Sequence, residues 1–286
     1  MKQKSIALAC LTLTFGTIIA LKVGYSQANN SSTNDVMAIL SRFGDNDQFK
    51  RSDAFYKLLE MGIGSDLDLK GKTGGFYLAL SQLFIKAPSK QDEIKIQLIE
   101  LLRKETSVAR EHTDWQVQAG GSSASEANTY YSDLIAAVAV LQDPRALNPL
   151  LDVITNGYMA RWGLAKLWRL SLDPLIERFS RDDTKIRDSA AAVFKLMIDP
   201  GYGMNVDDPI SREKIKQILM RGAEDRSYDT RRESIEGLGA LLRSGNRDVT
   251  SILKRAALND PYELPREPGV YPIRDIAKKM LQLSRN

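Results

Sequence analysis

Residues 173–197 read DPLIERFSRDDTKIRDSAAAVFKLM, and residues 212–242 read REKIKQILMRGAEDRSYDTRRESIEGLGALL. Each stretch contains the pattern of a short apolar helix, an acidic turn and a second helix, so one unit is stated twice. The two amphipathic helices of such a unit are too short to bury their apolar faces alone, and neighbouring copies must stack to complete a core. The pattern predicts stacked helix pairs.

Helical periodicity extends beyond these two units. Residues 90–105 place apolar side chains opposite charged ones at helical spacing, and residues 130–141 read as a buried helix. No segment alternates apolar and polar residues as a strand does, so the predicted fold is all-α. An aspartate followed by proline, a helix-start signal, recurs at Asp143, Asp173, Asp199, Asp208 and Asp260.

The composition is that of a soluble protein with a sizeable core. The 286 residues are 43% hydrophobic and 27% charged. There is one histidine, His112, and one cysteine, Cys10. These counts exclude disulfides within the chain and histidine-rich metal sites.

The first 28 residues have the three parts of a secretory signal. A basic start is followed by a run of 17 mainly apolar residues, 5–21, and by the small residues Ser26 and Ala28. We predict cleavage after Ala28, a secreted or periplasmic location, and no stable membrane insertion of the cleaved chain. The alternative is an uncleaved N-terminal anchor, because 17 residues are near the lower limit for spanning a bilayer.

The charge of the mature chain gives no electrostatic footprint for a polyanion. The formal net charge is +4, with 40 basic and 36 acidic residues. Removal of Lys2, Lys4 and Lys22 with the signal leaves 37 basic residues and a net charge of +1. A nearly neutral chain predicts no nucleic-acid partner.

The predicted organisation has four parts after the signal peptide. Residues 29–34 are a disordered linker, and residues 35–112 form an N-terminal helical region of possible divergent repeats. Residues 113–129, TDWQVQAGGSSASEANT, are rich in glycine and serine, which predicts a flexible loop and the main boundary. Residues 130–286 form the repeat region.

The second helix of each unit carries a recurring pattern, an arginine followed three to seven positions later by small or apolar residues. The pattern begins at Arg187, Arg231 and Arg274, and a weaker copy begins at Arg161. Intervals of 44 and 43 residues separate the first three arginines, a period within the range of about 40 to 47 of helix-pair repeats. In these features residues 143–283 resemble the HEAT-like repeats of the armadillo-type superhelix. The resemblance implies an α-α superhelix, a HEAT-like solenoid.

The recurring arginines have a structural interpretation and a functional one. The resemblance implies an acidic residue before each arginine, which Asp225 matches, and Asp182 or Asp183 matches less closely. We predict that Arg187, Arg231 and Arg274 form a ladder of ion pairs with Asp182 and Asp225 that links neighbouring repeats. The alternative is an anion-binding row, which the nearby acids disfavour.

No motif for catalysis or metal binding is complete. Asp66–Gly71 begins like a calcium loop but lacks the glutamate at its twelfth position, and Ser211 with Lys214 lacks the context of a serine–lysine enzyme. His112 beside Asp114 has no nucleophile elbow. We therefore predict no catalytic residue, no metal and no cofactor.

Residues 157–170, GYMARWGLAKLWRL, are the first candidate binding element. As one continuous helix they would place Tyr158, Trp162, Lys166 and Arg169 on one face and Trp168 elsewhere. One tryptophan would be exposed and one buried. Aromatic residues beside arginine often anchor protein interfaces, although the alternative is that these rings belong to the core.

The proline-rich insertion at residues 259–272 is the second candidate. Insertions in repeat proteins emerge on one face, often the binding face. Tyr262 and Tyr271 are its candidate contact residues. The alternative is a rigid surface loop.

These observations predict an exported, non-enzymatic scaffold that binds a protein or peptide through a concave face or projecting loops. The alternative is an enzyme or small-ligand-binding protein with a carboxylate-lined groove between repeats. A deep pocket with two close, buried carboxylates would favour the alternative.

Overall fold

The structure is a computed structural model, and it describes residues 34–64, 74–111, 122–181, 183–202 and 206–284. The predicted signal peptide, residues 29–33 of the predicted linker, His112 and Asp182 lie outside these ranges. Residue 34, the last of the predicted linker, is the first residue of a helix.

The described residues fold into α-helices joined by short 3-10 turns and loops, with no strand among them, which confirms the all-α prediction. The helices are α1 (34–41), α2 (Gln48–Ile63), α3 (Gly74–Lys86), α4 (Gln91–Glu111), α5 (Ser122–Val140), α6 (Leu147–Asp152), α7 (Tyr158–Lys166), α8 (Trp168–Phe179), α9 (Thr184–Ile198), α10 (Pro209–Gly222), α11 (Tyr228–Arg243), α12 (Thr250–Asn259) and α13 (Pro272–Leu283).

Consecutive helices pack as pairs, and the second helices of the pairs pack in a row. The pairs are α2 with α3, α4 with α5, α6 with α7, α8 with α9, α10 with α11 and α12 with α13. The row runs in the order α3, α5, α7, α9, α11 and α13, each helix touching the next. Stacked helix pairs of this kind are the architecture of HEAT-like repeats, and the predicted α-α superhelix is confirmed.

One hydrophobic core runs through all the described ranges, from Val36 to Ala277. Helix α5 begins at Ser122, so residues 122–129 are helical and the loop predicted for them was wrong. Glycine and serine favour a loop locally. However, α5 packs against α3 and α4, and its side chains Tyr130 and Leu134 are buried. Residues 113–121 of that predicted loop lie outside the described ranges.

The aspartate–proline signal marks some helix starts and not others. Asp208 caps α10 by accepting a hydrogen bond from the Ser211 backbone N–H at 2.7 Å, and Asp143 accepts one from Arg145 at 2.9 Å at the start of a 3-10 turn. Pro174 instead lies inside α8. Asp260 ends up buried against an arginine of the preceding helix pair, so its prediction as a cap was wrong.

Candidate functional site

Two of the recurring arginines reach an aspartate of the following helix pair. Arg187 Nε lies 3.0 Å from Asp225 Oδ2, and Arg231 Nε lies 2.7 Å from Asp260 Oδ2. Both guanidiniums are buried, so the structure gives no support to an anion-binding row. Asp182 is outside the described residues, and it was Asp260, missed as a ladder residue in the sequence, that pairs with Arg231.

Within the described ranges Arg274 forms no ion pair to a neighbouring repeat, so its prediction as a member of the ladder was wrong; it keeps only a hydrogen bond to a carbonyl of its own helix pair. Its Nε donates to the backbone carbonyl of Asp260 at 2.8 Å, 14 residues earlier in the chain. Arg231 donates to the carbonyl of Asp225 at 2.9 Å, only six residues earlier. The insertion therefore lies between Asp260 and Arg274 and leaves the hydrogen bond from Arg274 to the Asp260 carbonyl in place.

The same arginine position recurs on helices outside the predicted ladder. In the described helices, four of the arginines at the fourth helical position donate from Nη1 to the carbonyl six residues earlier: Arg51 to Asp45, Arg187 to Arg181, Arg212 to Val206 and Arg231 to Asp225. Arg161, the fourth residue of α7, donates instead from Nε to the Gly157 carbonyl at 3.2 Å. Each of the first four follows its helix cap by four positions, the caps being Asp47, Asp183, Asp208 and Ser227. Sequence reasoning missed Arg51 and Arg212, which this spacing could have identified.

Arg51 forms the most deeply buried of these pairs. Its Nε lies 2.5 Å from Glu105 Oε1, and its side chain is 2% exposed. Glu105 also accepts hydrogen bonds from the Tyr130 hydroxyl at 3.1 Å and from Gln48 at 3.2 Å. Burial, together with the charge of Glu105, raises the pKa of Tyr130 above its usual range. The network joins α2, α4 and α5.

The candidate binding site is the solvent side of the row of second helices, which we call the second-helix face. It comprises Tyr158, Trp162 and Lys166 of α7, Lys195 of α9, Tyr202 just after α9, and Arg232 and Glu236 of α11. On α7 this side lies opposite Ala160 and Leu164, which are buried in the core. Spacing of four residues puts Tyr158, Trp162 and Lys166 in one line.

The predicted continuous helix is interrupted at Leu167, so Arg169 does not share a face with Tyr158. Helix α7 ends at Lys166 and α8 begins at Trp168. The Ser171 hydroxyl donates to the Leu164 carbonyl at 2.7 Å and so satisfies a carbonyl next to the break. Arg169 stacks on Trp168, with 4.4 Å to the ring centroid, and its Nη2 lies 3.4 Å from Asp207 Oδ1.

The aromatic part of the second-helix face combines side chains from α7 and from the 3-10 turn that follows α9. Tyr158 is 48% exposed and Tyr202 is 42% exposed. Burial raises the pKa of Tyr158, and the neighbouring Tyr202 raises it further. Trp162 and Trp168 are both half-buried, so the prediction of one exposed and one buried tryptophan was wrong. The Lys166 ammonium nitrogen Nζ lies 5.3 Å from the centroid of the Trp162 ring.

The ionic part of this face is a network between α9 and α11. Lys195 Nζ lies 2.8 Å from Glu236 Oε2 and also contacts Glu233. Glu233 in turn accepts from Arg232 at 2.8 Å. Burial lowers the pKa of Lys195, but the two carboxylates outweigh it and hold that pKa above its usual value. The ammonium group is therefore kept charged and in place.

The insertion is an ordered loop whose two tyrosines are both engaged. The Tyr262 ring packs on the Tyr228 ring of α11, with the two centroids 4.0 Å apart. The Arg232 guanidinium lies 5.9 Å from the Tyr228 ring, so Tyr228 separates Tyr262 from Arg232. Tyr271 instead lies under the Arg274 guanidinium at 3.7 Å and donates to Glu263 at 3.3 Å. The structure thus brings Tyr262 towards the second-helix face and leaves Tyr271 apart from it.

Two surface cavities bear on the carboxylate-groove alternative. One of about 420 Å³ is lined by Asp225 and Asp260, but these carboxylates pair with Arg187 and Arg231. The other, of about 670 Å³, lies between α8 and α10, and three isoleucines and Pro209 line it together with Asp173 and Glu213. These two carboxylates are exposed, and they pair with Lys214 and Lys216. Across the described ranges no group of three or more His, Cys, Asp or Glu could hold a metal ion. Within those same ranges, no helix combines the length and apolar character needed to cross a bilayer.

No family model matches this chain. No curated protein matches it either. Among solved structures, it is similar to a designed armadillo repeat protein, YIII(Dq.V1)4CPAF, in complex with the peptide (KR)4, at 12% identity and a TM-score of 0.45, over 87% of this chain and 99% of that one. A second designed armadillo repeat protein, YIII(Dq)4CqI, is similar at 13% identity and a TM-score of 0.44, over 87% and 99% of the two chains.

Proposed function

We propose that this chain is an exported, non-enzymatic helical-repeat scaffold that binds a protein or peptide on its second-helix face. The observation that carries the proposal is the grouping of Tyr158, Tyr202 and Trp162 beside a network of ordered charges. Apolar side chains exposed singly are normal on a soluble protein. Two exposed tyrosines next to a half-buried tryptophan form instead the kind of anchor on which binding energy concentrates.

The ionic network supports this proposal because its ion pairs hold the charged side chains in place before a partner binds. Lys195 is held by Glu233 and Glu236, and Arg232 by Glu233 and Asp229. Side chains that are already fixed lose little freedom when a partner arrives, so they reduce the entropic cost of association. Tyrosine and tryptophan add contact area at the cost of only two side-chain torsions each. A protein or peptide surface with both apolar and polar groups suits this face better than a polyanion does.

The partner-binding prediction is tested with two exposed tyrosines. Tyr158→Ala and Tyr202→Ala should each weaken binding by about thirty-fold or more, because truncating an anchor residue costs about 2 kcal/mol or more. The partner is first identified by affinity capture with the unaltered mature chain from its native envelope fraction. Dissociation constants of the purified pair are then measured by calorimetry.

Phe49→Ala is the matched control, because Phe49 is an exposed aromatic residue on α2, away from the second-helix face. It should bind the partner as the unaltered chain does. Circular dichroism should show the same helix content for all three variants. Equal affinity in both tyrosine variants would remove this face from consideration.

Export is tested independently of binding. The three-part signal in residues 1–28 predicts that the protein taken from cells begins at Asn29 and lacks Cys10. Intact-mass measurement with N-terminal peptide mapping checks this directly. A protein that still carries Met1 would contradict cleavage and would favour the N-terminal anchor.

A further inference from the structure

The loop that precedes α7 contains an asparagine followed by a glycine. Residues 153–157 connect α6 to α7, and Asn156 with Gly157 is the one such pair in the sequence. Thr155 and Asn156 are exposed to solvent. An asparagine side chain can react with the backbone nitrogen of the next residue, and a glycine has no Cβ to obstruct that approach. The loop therefore places a reactive pair at the surface.

The backbone nitrogen of Gly157 is available for this reaction. Of the described residues, none accepts a hydrogen bond from the Gly157 N–H. A methyl group added at Gly157 would meet no residue beyond its chain neighbours within 4 Å, so water also has access. The Thr155 hydroxyl donates to Asn156 Oδ1 at 3.4 Å, and this hydrogen bond polarises the carbonyl carbon that the nitrogen would attack.

Other asparagines are followed by a nitrogen that is already engaged or cannot react. After Asn46, the next backbone N–H donates to an aspartate carboxylate at 2.9 Å. After Asn259, the next N–H donates to the Ala256 carbonyl at 3.2 Å. Each of these bonds must break before the nitrogen can attack. Asn148 is followed by a proline, whose nitrogen carries no hydrogen.

We propose that Asn156 is a site of spontaneous deamidation. The Gly157 nitrogen loses its proton to water and forms a bond to Asn156 Cγ. The Cγ–Nδ2 bond breaks, and the amide nitrogen takes up a proton and leaves as ammonia. Water then adds to either carbonyl carbon of the resulting five-membered imide, and the ring opens to aspartate or to isoaspartate. Overall one water enters, one ammonia leaves and nothing is oxidised or reduced.

Both products change the start of α7. Each carries a new carboxylate close to Arg161, whose Nε donates to the Gly157 carbonyl at 3.2 Å. A negative charge beside the N-terminus of a helix is favourable, so these surroundings stabilise the product. Isoaspartate also routes the backbone through the former side chain, which inserts one carbon atom two residues before Tyr158. Resting on the proposed function, this displacement should weaken partner binding on the second-helix face.

Mass spectrometry tests the modification without a partner. The processed chain is incubated at neutral pH and physiological temperature, and the tryptic peptide of residues 146–161 is fragmented at intervals. Residue 156 should gain about 1 Da, the difference between water and ammonia, whereas Asn148 in the same peptide should not change. Asn156 should convert at least about ten-fold faster than Asn46 or Asn259, because its attacking nitrogen is already free. Equal rates at Asn156 and Asn46 would overturn the proposal.

Asn156→Gln is the matched variant, because its longer side chain must close a six-membered ring and fix one more rotatable bond. It should convert at least about ten-fold more slowly than Asn156 does. Gly157 is left unchanged, since its φ of 113° favours glycine.

The effect on binding is measured with the isoaspartate form, separated by chromatography from the incubated chain. It should bind the captured partner about ten-fold more weakly than the fresh chain, because a displaced anchor loses much of its contact. Incubated Asn156→Gln should keep its affinity. An equal loss in that variant, or no loss in the isoaspartate form, would overturn the link between modification and binding. Tyr158→Ala is measured on fresh protein, so the proposed function and this inference can fail separately.

Discussion

Arg51→Met should lower the free energy of unfolding by about 3–5 kcal/mol, because it leaves a buried carboxylate without its counter-charge. The side chains of Arg51 and Glu105 are both almost fully buried. The substitution also removes the donors to the Asp45 and Asn46 carbonyls, at 2.8 and 2.9 Å. Tyr130 and Gln48 still donate to Glu105, but they carry no positive charge. Urea unfolding followed by circular dichroism measures the loss.

The double variant Arg51→Met with Glu105→Gln tests the reason for that loss. A neutral amide still accepts from the Tyr130 hydroxyl, so the double variant should lose less stability than Arg51→Met alone. Arg42→Met is the control, since Arg42 pairs with Asp53 at 2.8 Å on the exposed surface. It should cost no more than about 1 kcal/mol. Equal losses for Arg51→Met and Arg42→Met would show that burial does not decide the strength of these pairs.

The arginines show what a repeat pattern can predict. Arg187 and Arg231 were found because small residues follow them at fixed positions on a second helix. Arg51 was missed because Lys57, six positions later, stands where the pattern has a small or apolar residue, although Asp47 precedes Arg51 as a cap. The cap spacing depends on local hydrogen bonding alone. It therefore applies to first and second helices alike, whereas the small residues reflect packing between second helices.

The acidic partners were harder to predict than the arginines. An aspartate before a proline can cap the helix that follows it or reach back to the preceding repeat. Asp208 caps α10, whereas Asp260 turns towards Arg231 of the preceding helix pair. That choice depends on which groups lie nearby in the fold. Local sequence does not carry that information.

In the candidate site, too, local spacing predicted the residues of one helix, whereas the residues placed by the fold were missed. The spacing of Tyr158, Trp162 and Lys166 within one short helix was enough to place them together, and Lys166 does lie over the Trp162 ring. Arg169 was misplaced because no glycine or proline marks the break at Leu167. Tyr202 was missed because it lies outside any helical pattern, in a turn after α9. Only the packing of α7 against α9 brings it near Tyr158.

Gly62 is the contact point between α2 and α3, and Gly62→Ala should lower the free energy of unfolding by roughly 3 kcal/mol, the upper part of the range for overpacked cores. A methyl group on Gly62 would collide with the backbone oxygen of Ala79 and would lie 2.8 Å from its carbonyl carbon. Backbone atoms cannot rotate away as the end of a side chain can. Helix α3 would therefore have to move away from α2.

Gly44→Ala is the control for this prediction, because no atom lies within 4 Å of the added methyl group. It should change stability by less than about 0.5 kcal/mol, since alanine reduces the freedom of the unfolded chain without a collision. Both variants are compared by urea unfolding. Unchanged stability in Gly62→Ala would mean that α2 and α3 are less closely packed than the Gly62–Ala79 contact indicates.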